Sequence, residues 1–338
     1  MRSATILALA AALAGCATMP RGLPPVAVTA AGETVPVGTS AADAADDPAI
    51  WRNPSDPTAS LIVATDKKAG LYVYGLDGKV RSFTNAGLVN NVALADVGPA
   101  GVVVVASDRN DLAAAKLQLY RLDPASARLT KIAELDGGAG EAYGVCVRHD
   151  GKGLRIASVL KHGLIVEQAI GFTGDGSLAP VGTTFPNRKL ATQTEGCVYD
   201  PADGTLYVGE EDVGIWRFAA DATEGRLVAP IDNRQLVADV EGLALLREGE
   251  KAWLVASSQG DNAFAVFELP AMIARGRFAI KSGAVGGAEE TDGIELVGGS
   301  FGPGFPDGLL VVQDGHNQPA AQNFKLVSWA AVRSALGL

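Results

Sequence analysis

Residues 195–218 read EGCVYDPADGTLYVGEEDVGIWRF, and this stretch contains three short apolar runs separated by polar turns. The first run follows Glu195-Gly196, the second ends at Glu210-Glu211-Asp212, and the third is Ile215-Trp216-Arg217-Phe218. Short apolar runs with Gly and Asp between them are typical of antiparallel β-strands joined by tight turns. This stretch therefore predicts consecutive strands of one antiparallel sheet.

The same unit occurs six times along the chain, each time as a polar residue followed by an apolar run. The second run of each copy again ends in polar residues, and a third run alternates aromatic or apolar side chains with others. The spacing between copies, about 44 to 52 residues, is the length of a four-stranded propeller blade. The copies begin at Asp47, Asn91, Tyr143, Glu195, Glu241 and Asp292.

These repeats predict an all-β fold, a six-bladed β-propeller with four-stranded antiparallel blades. A closed ring of blades leaves no open sheet edge. A β-sandwich or a β-helix is the alternative, and six nearly equal repeats favour the propeller. The last copy holds only three runs, so we expect an N-terminal strand, from Val26-Ala27-Val28-Thr29 or Thr34-Val35-Pro36-Val37, to supply its fourth and close the ring.

The composition limits the classes of function. The chain has 338 residues, 48% of them hydrophobic, and a formal net charge of −10. That apolar content can fill a core, which argues against a disordered chain. Proteins that bind nucleic-acid phosphates are normally basic, so no nucleic-acid partner is expected.

The N-terminal residues resemble an export signal. Arg2 precedes an apolar stretch over 6–14 that is too short to span a bilayer. Leu13-Ala14-Gly15-Cys16 resembles the lipobox of bacterial lipoproteins, which implies lipidation at Cys16; an ordinary cleaved signal is the alternative. The predicted division is a signal peptide over 1–16, a tether over 17–38 and one domain over 39–338.

This leader predicts an exported protein, lipid-anchored to the bacterial outer membrane or else periplasmic or extracellular. Membrane contact is expected only through the lipid, and the protein is expected to be a monomer. Cys146 and Cys197 lie outside the leader. They can pair in an oxidising compartment, but two buried free thiols are the slightly favoured alternative, because spacing does not give the geometry of a pair.

Polar side chains recur at the start of the first run and the end of the second run of each copy. In a blade these two strands are antiparallel neighbours, so both places lie at the same rim of the ring. We therefore expect one mouth of the central channel to gather the following residues: Asp46, Asp47, Lys67, Lys68, Arg109, Tyr143, Lys161, Glu195, Glu210, Glu211, Asp239, Glu241, Gln259, Asp292 and Asp314.

Two kinds of chemistry are expected at this mouth. Its carboxylates, with Tyr143 and Gln259, are hard oxygen ligands of the kind that calcium takes in sets of six to eight. Its lysines and Arg109 suit phosphate oxygens. The three histidines have no zinc-like spacing. Each residue alone is also compatible with a turn or a solvated loop; their equivalent places in the repeat favour a functional site.

The motifs resemble those of one family over most of the chain, in order from about residue 40 to the C-terminus. Together they are similar to the motifs of the β-propeller phytases. The matching stretches are Asp43-Ala44-Ala45-Asp46-Asp47-Pro48-Ala49-Ile50-Trp51, Asp66-Lys67-Lys68, Asn90-Asn91-Val92, Tyr143-Gly144, Gln193-Thr194-Glu195-Gly196, Glu210-Glu211-Asp212, Asp239-Val240-Glu241-Gly242, Ser258-Gln259-Gly260, Thr291-Asp292-Gly293 and Gln322-Asn323-Phe324.

The resemblance implies a calcium-dependent 3-phytase that hydrolyses phytate, inositol hexakisphosphate, by a metal-bridged water. Several calcium ions are implied as cofactors, and phytate, as its calcium complex, is implied as the substrate. By resemblance, a catalytic calcium cluster is held by Tyr143, Glu195, Glu210, Asp239 and Glu241. A tighter calcium site is implied at Asp47, Gln259 and Asp292. By the same resemblance, phosphate is bound by Lys67, Lys68, Arg109 and Lys161, and of these Lys67, Arg109 and Lys161 also take part in catalysis.

One position departs from the family pattern. Ala93 stands where the family usually has an aspartate after Asn-Asn-Val, so calcium affinity is expected to differ. Two other functions remain open. A gluconolactonase-type propeller hydrolase needs no cluster of phosphate-binding cations, and a non-catalytic or slow calcium-binding lipoprotein needs no reactive mouth.

Overall fold

The chain forms a ring of six β-sheets in a computed structural model that describes residues 21–40, 43–151, 153–174, 176–181 and 185–338. The sheets follow one another along the chain, and in each one the strands run outward in chain order from the central channel. The predicted six-bladed propeller is confirmed. The signal peptide and Cys16 lie outside the described residues.

The strands are numbered in chain order. Two N-terminal strands precede the blades: β1 (Val26–Thr29) and β2 (Gly32–Glu33). Blade one contains β3 (Ala45–Trp51), β4 (Leu61–Asp66), β5 (Gly70–Gly75) and β6 (Val80–Asn85). Blade two contains β7 (Val89–Asp96), β8 (Val102–Asp108), β9 (Ala114–Asp123) and β10 (Arg128–Ala139). Blade three contains β11 (Ala142–His149), β12 (Gly153–Leu160), β13 (Leu164–Phe172), β14 (Leu178–Pro180) and β15 (Arg188–Lys189).

The second half of the ring repeats this order. Blade four contains β16 (Thr194–Tyr199), β17 (Leu206–Glu210), β18 (Gly214–Phe218) and β19 (Arg226–Pro230). Blade five contains β20 (Leu243–Glu248), β21 (Lys251–Ser258), β22 (Ala263–Glu268) and β23 (Ile273–Lys281). Blade six contains β24 (Ile294–Gly298), β25 (Gly308–Asp314) and β26 (Asn323–Ser328), followed by the helix α1 (Trp329–Leu336). Short 3-10 turns lie at Pro57–Ala59, Gly98–Ala100 and Gln259–Asp261.

The core is divided among the gaps between neighbouring blades. A blade is a twisted sheet covered on both faces, so its second strands are mostly apolar, and every residue of β8, β12 and β25 is buried. One large apolar cluster fills each gap; that between blades five and six, for example, joins Trp253 and Phe278 to Val312 and Trp329. Burial of these clusters holds the blades at fixed angles around the channel.

The N-terminal segment closes the ring at two places. β2 pairs antiparallel with β26 and supplies the fourth strand of blade six, so an N-terminal strand closes the ring as expected, but it is Gly32–Glu33 and neither of the two stretches that were predicted. The hydrogen bonding extends on both sides of this short strand, since Ala31 N donates to Leu326 O at 2.8 Å and Val37 N donates to Gln322 O at 3.0 Å. β1 pairs parallel with β23 as a fifth strand of blade five, which the sequence did not predict.

Cys146 and Cys197 form a disulfide, with their Cα atoms 5.9 Å apart. The preference for free thiols was therefore wrong. The two residues lie on β11 and β16, the innermost strands of blades three and four. Neighbouring first strands approach closely around the channel, and this proximity cannot be read from a separation of 51 residues.

Among the described residues, no helix is long and apolar enough to cross a membrane.

Candidate functional site

The first strands of the blades meet at one mouth of the channel, where each presents one polar side chain. These channel residues are Asp46, Asn90, Tyr143, Glu195, Glu241 and Asp292. In four blades a glycine follows the channel residue, and the neighbouring backbone lies against it. A Cβ atom on Gly196 would lie 1.7 Å from the carbonyl oxygen of Glu241, and one on Gly242 would lie 2.6 Å from that of Asp292. These glycines let the strands crowd together, which brings the channel residues within reach of one another.

Glu195, Glu211 and Glu241 form a compact acidic triad. One carboxylate oxygen of each lies within 4.8 Å of the others, and all three side chains are buried. Oε1 of Glu211 and Oε2 of Glu241 have no hydrogen-bond partner among the described residues. Three buried carboxylates, two of them with an unpartnered oxygen, are costly unless a cation joins them.

The triad is correspondingly hard to ionise. Burial and the charges of Asp46 and Glu241 raise the pKa of Glu195 well above its usual range. Burial and the charge of Glu211 do the same for the pKa of Glu241. Burial raises the pKa of Glu211 to about 7, against a hydrogen bond from Gln193, and nearby Asp239 adds to the rise. These raised pKa values reflect carboxylates that are buried close to one another. A hard divalent cation would neutralise the negative charge of the ionised groups.

A lysine lies beside the triad in a carboxylate pocket of its own. Lys67 Nζ is 2.8 Å from Asp46 Oδ1 and 3.1 Å from Asp292 Oδ2, and it also contacts Asp43. Gln259 Nε2 donates to Asp292 Oδ1 at 2.6 Å. Although burial opposes its charge, Asp46 and Asp292 hold the pKa of Lys67 well above its usual value. Lys67 is thus charged and fully paired, rather than free to receive a phosphate.

Asn90 connects the lysine pocket with the triad. Its Nδ2 donates to Asp46 Oδ2 at 3.2 Å and to Glu195 Oε1 at 2.6 Å. Asn90 belongs to one of the family-like motifs but was not predicted as a site residue. Its equivalence to Tyr143 and Glu195 in the repeat is the signal that could have placed it there.

The remaining cations lie at the rim beside blades one to three. Lys161 Nζ lies 4.9 Å from the ring centre of Tyr143, and Arg109 Nη1 is 3.5 Å from Glu141 Oε1. Tyr143 OH accepts a hydrogen bond from Gln193 Nε2 at 3.3 Å. Lys68 is more exposed and pairs with Asp43 at 3.2 Å. Lys161 and Arg109 are therefore available to an anion at the mouth.

Glu210 does not join the triad. Its Oε1 accepts hydrogen bonds from Ala191 N at 2.9 Å, Thr192 N at 2.7 Å and Thr192 Oγ1 at 2.8 Å. Its Oε2 accepts one from Trp216 Nε1 at 2.8 Å. Both oxygens are thus occupied within blade four, and Glu211 takes the place at the mouth that the resemblance had assigned to Glu210.

Asp314 also lies away from the mouth. Its Oδ2 is 3.0 Å from Lys325 Nζ, and its Oδ1 accepts from the backbone N–H groups of Glu289 and His316, each at 3.2 Å. Both exceptions follow from strand alternation. Glu210 and Asp314 end β17 and β25, whereas the residues that follow the second strands face the mouth. Those mouth positions are Lys67, Arg109, Lys161, Glu211, Gln259 and Gly315.

Asp47 faces a central cavity of about 390 Å³ behind the mouth, which Ala93 and Glu295 also line. Asp47 Oδ2 accepts from Val92 N at 3.0 Å, and burial with the charge of Asp46 raises the pKa of Asp47 well above its usual range. Burial raises the pKa of Glu295 to about 8. The aspartate that the family pattern places at position 93 would thus belong to this cavity, not to the triad. Glu295 was not predicted as a site residue, because it stands inside an apolar run.

The profile of the Phytase family matches residues 2–338 of the chain. The chain belongs to the phytase family. It is 36% identical over 334 residues to the 3-phytase of Bacillus subtilis (strain 168), an alignment that covers 92% of this chain and 85% of that protein. The family resemblance seen in the motifs is thereby confirmed.

Solved structures support the fold independently. A chain in the crystal structure of the mitotic checkpoint complex superposes with a TM-score of 0.51 at 13% identity, covering 98% of this chain and 86% of that one. At this low identity the likeness concerns the propeller fold alone.

Proposed function

We propose that this protein releases phosphate from phytate by calcium-dependent hydrolysis at the channel mouth. Membership of the phytase family supports the substrate and the reaction. The observation that carries the calcium requirement is the acidic triad, three buried carboxylates of which Glu211 and Glu241 each have an unpartnered oxygen, near the rim cations Arg109 and Lys161. A gluconolactonase-type hydrolase would not need these rim cations. A propeller that serves only as a binding surface for other molecules would not need buried carboxylates that repel one another.

The side chains available to calcium are oxygen donors, which suits this hard cation. Glu195, Glu211 and Glu241 would hold it, and Tyr143 and Asp239, whose charges interact with those of the triad, are further oxygen donors that the family resemblance assigns to it. When bound, calcium would neutralise phosphate oxygens and lower the pKa of a water that it shares with the substrate, as in the metal-bridged water of the family.

The chain's cations have separate tasks in this proposal. Arg109 presents a planar fork that fits two phosphate oxygens, and Lys161 is held in place over the ring of Tyr143. Together they would orient the scissile phosphate and offset the charge spread over its oxygens in the transition state. Lys68, at the exposed rim, would contact a second phosphate, and Lys67 would hold Asp46 and Asp292 in place until the anion arrives.

The substrate is tested by incubating the purified protein with phytate in millimolar calcium and measuring inorganic phosphate. A sugar lactone is offered in parallel under the same conditions. We expect steady phosphate release and no lactone opening. Lactone opening without phosphate release would instead support the lactonase, and neither reaction would support a binding protein.

The metal-free protein should lose stability as pH rises. The pKa values of Glu211 and Asp292, usually 4.5 and 3.8, are raised to about 7, mainly by burial. Carboxyls with raised pKa values favour the folded state below their unfolded pKa, and this contribution is lost as pH approaches 7. The stabilisation by calcium should therefore grow between pH 5 and 7, since calcium displaces these protons.

Melting temperatures in calcium and in chelator at pH 5, 6 and 7 measure this difference. Glu211→Gln is the matched variant, and it should flatten the pH dependence of the calcium effect. An effect of calcium that is constant over this range in the unmodified protein would contradict the assignment of calcium to these carboxyls.

Export and lipidation at Cys16 remain part of the proposal. The disulfide between Cys146 and Cys197 supports an oxidising compartment, because disulfides persist there and are rare in the cytosol. Mass spectrometry of the protein purified from membranes would show a lipid on Cys16 as the mature N-terminus. An unmodified peptide that spans residues 13–18 would contradict both cleavage and lipidation.

A further inference from the structure

The disulfide between Cys146 and Cys197 lies directly behind the acidic triad. Cys146 is the third residue after Tyr143 on β11, and Cys197 is the second after Glu195 on β16. Both half-cystines line the central cavity behind the mouth. The bond therefore joins the strand that carries Tyr143 to the strand that carries Glu195, at positions two or three residues along the chain from these side chains.

When no cation is bound, electrostatic repulsion among the triad carboxylates opposes their close approach. The triad glutamates come from blades four and five, and Tyr143 and Lys161 come from blade three. Like charges held within 4.8 Å repel one another, so in the metal-free protein the repulsion between Glu241 of blade five and the two glutamates of blade four tends to displace Glu195 and its strand β16. Blades three and four are joined by apolar packing, such as Val159 against Val208, and by polar contacts, among them Tyr199 with Glu167 and Thr194 Oγ1 donating to Leu160 O at 3.0 Å. The disulfide adds a covalent link to these contacts.

We propose that the Cys146–Cys197 disulfide is a positioning element that holds the calcium ligands together in the metal-free protein. It deepens the proposed function and rests on calcium binding at the triad. A covalent link limits how far Glu195 can move from blade three, so less ordering remains to be done when calcium binds. The redox state of the pair thereby sets the calcium concentration at which the protein becomes loaded.

This coupling must act in both directions. If the disulfide tightens calcium binding by a given factor, calcium must stabilise the disulfide against reduction by the same factor. Reduction by a dithiol breaks the S–S bond and leaves two protonated thiols, while the dithiol supplies two electrons and two protons and closes into its own disulfide. Cys197 is only partly buried and faces the cavity, so a small dithiol can reach it.

The test compares oxidised protein with the Cys146→Ala/Cys197→Ala variant, both stripped with chelator. Calcium is titrated while the melting temperature is followed, without substrate. We expect the variant to need on the order of fivefold more calcium for half of its shift, with an unchanged kcat for phosphate release in saturating calcium. Val145→Ala, a truncation beside Cys146 in the same strand, is the control: it should lower the melting temperature without moving the half-saturation point.

A second measurement uses the unmodified protein, in case the variant does not fold. The fraction of reduced pair is measured by thiol alkylation in a fixed dithiothreitol redox buffer, with calcium and with chelator. Calcium should lower the ratio of reduced to oxidised protein, again by about fivefold. Equal half-saturation, or equal reduction in both conditions, would overturn the positioning role while leaving calcium binding intact. Absence of any calcium effect on the oxidised protein would overturn the calcium proposal itself, and with it the role of the disulfide.

Discussion

Glu211→Gln is expected to lower phosphate release from phytate by about 100-fold, the size of effect seen when one preorganised electrostatic contact is removed from a reaction centre. Glu211 supplies one of the three buried carboxylates of the triad, and its Oε1 has no partner among the described residues. Glutamine keeps the shape but removes the charge that a hard cation needs. Rates measured over a range of calcium concentrations would also show a higher calcium requirement.

Glu210→Gln is the matched control, because it makes the same chemical change one residue away. Its amide oxygen can still accept from Ala191 N and Thr192 N, although its amide nitrogen would face the donor of Trp216. We expect a loss below about tenfold, typical of a supporting contact. A larger loss for Glu210→Gln than for Glu211→Gln would contradict the geometry and restore the assignment made from the family resemblance.

Lys325→Met is expected to lower the free energy of unfolding by about 3–5 kcal/mol, the cost of removing one partner from a buried ion pair. The Lys325 side chain is completely buried on β26, 3.0 Å from Asp314 Oδ2, and it also pairs with Glu33 of β2. Without the ammonium group Asp314 would be left as an uncompensated buried charge. The same change would weaken the closing strand, because Glu33 belongs to the short pairing that completes blade six.

Guanidinium unfolding followed by circular dichroism, with calcium held constant, would measure this loss. Lys131→Met is the control, since Lys131 forms an exposed pair with Glu134 at 2.9 Å. Exposed pairs contribute little, so its cost should stay below about 1 kcal/mol. Equal costs for the two variants would show that Lys325 does not hold the ring closed.

The fold could be predicted from the sequence because its signal is repeated. Six copies of one pattern constrain the architecture more than any single strand does, and the three runs of the last copy indicated a strand from elsewhere. The parallel pairing of β1 with β23 was not predictable in this way. It depends on where the N-terminal segment crosses the outer edge of blade five, and no local pattern encodes that path.

The gathering of polar side chains at one mouth of the channel could be predicted from the sequence as a region, but not the position of every residue. Glu210 and Glu211 are adjacent acids, and only the alternation of strand β17 decides which of them faces the mouth. Alignment of the repeats at the ends of the second strands places Glu211, not Glu210, beside Lys67 and Lys161. The same alignment separates Asp314 from the mouth.

Other features of the site depend on distances between blades. Glu295 stands within an apolar run, and only the curvature of the ring turns it into the same cavity as Asp47. The pairing of Cys146 with Cys197 likewise requires neighbouring first strands to approach closely. Such approaches result from the packing of glycines against backbone carbonyls, as at Gly196 and Glu241. Sequence spacing alone does not report them.

The central claim is that the buried carboxylates of the mouth hold calcium on which hydrolysis of phytate depends. The most direct test is phosphate release by one preparation in chelator, followed by stepwise addition of calcium, with circular dichroism recorded at each step. The account predicts no release from a folded protein in chelator and recovery of activity as calcium is added. Undiminished phosphate release in excess chelator, from protein shown to be free of calcium, would contradict it.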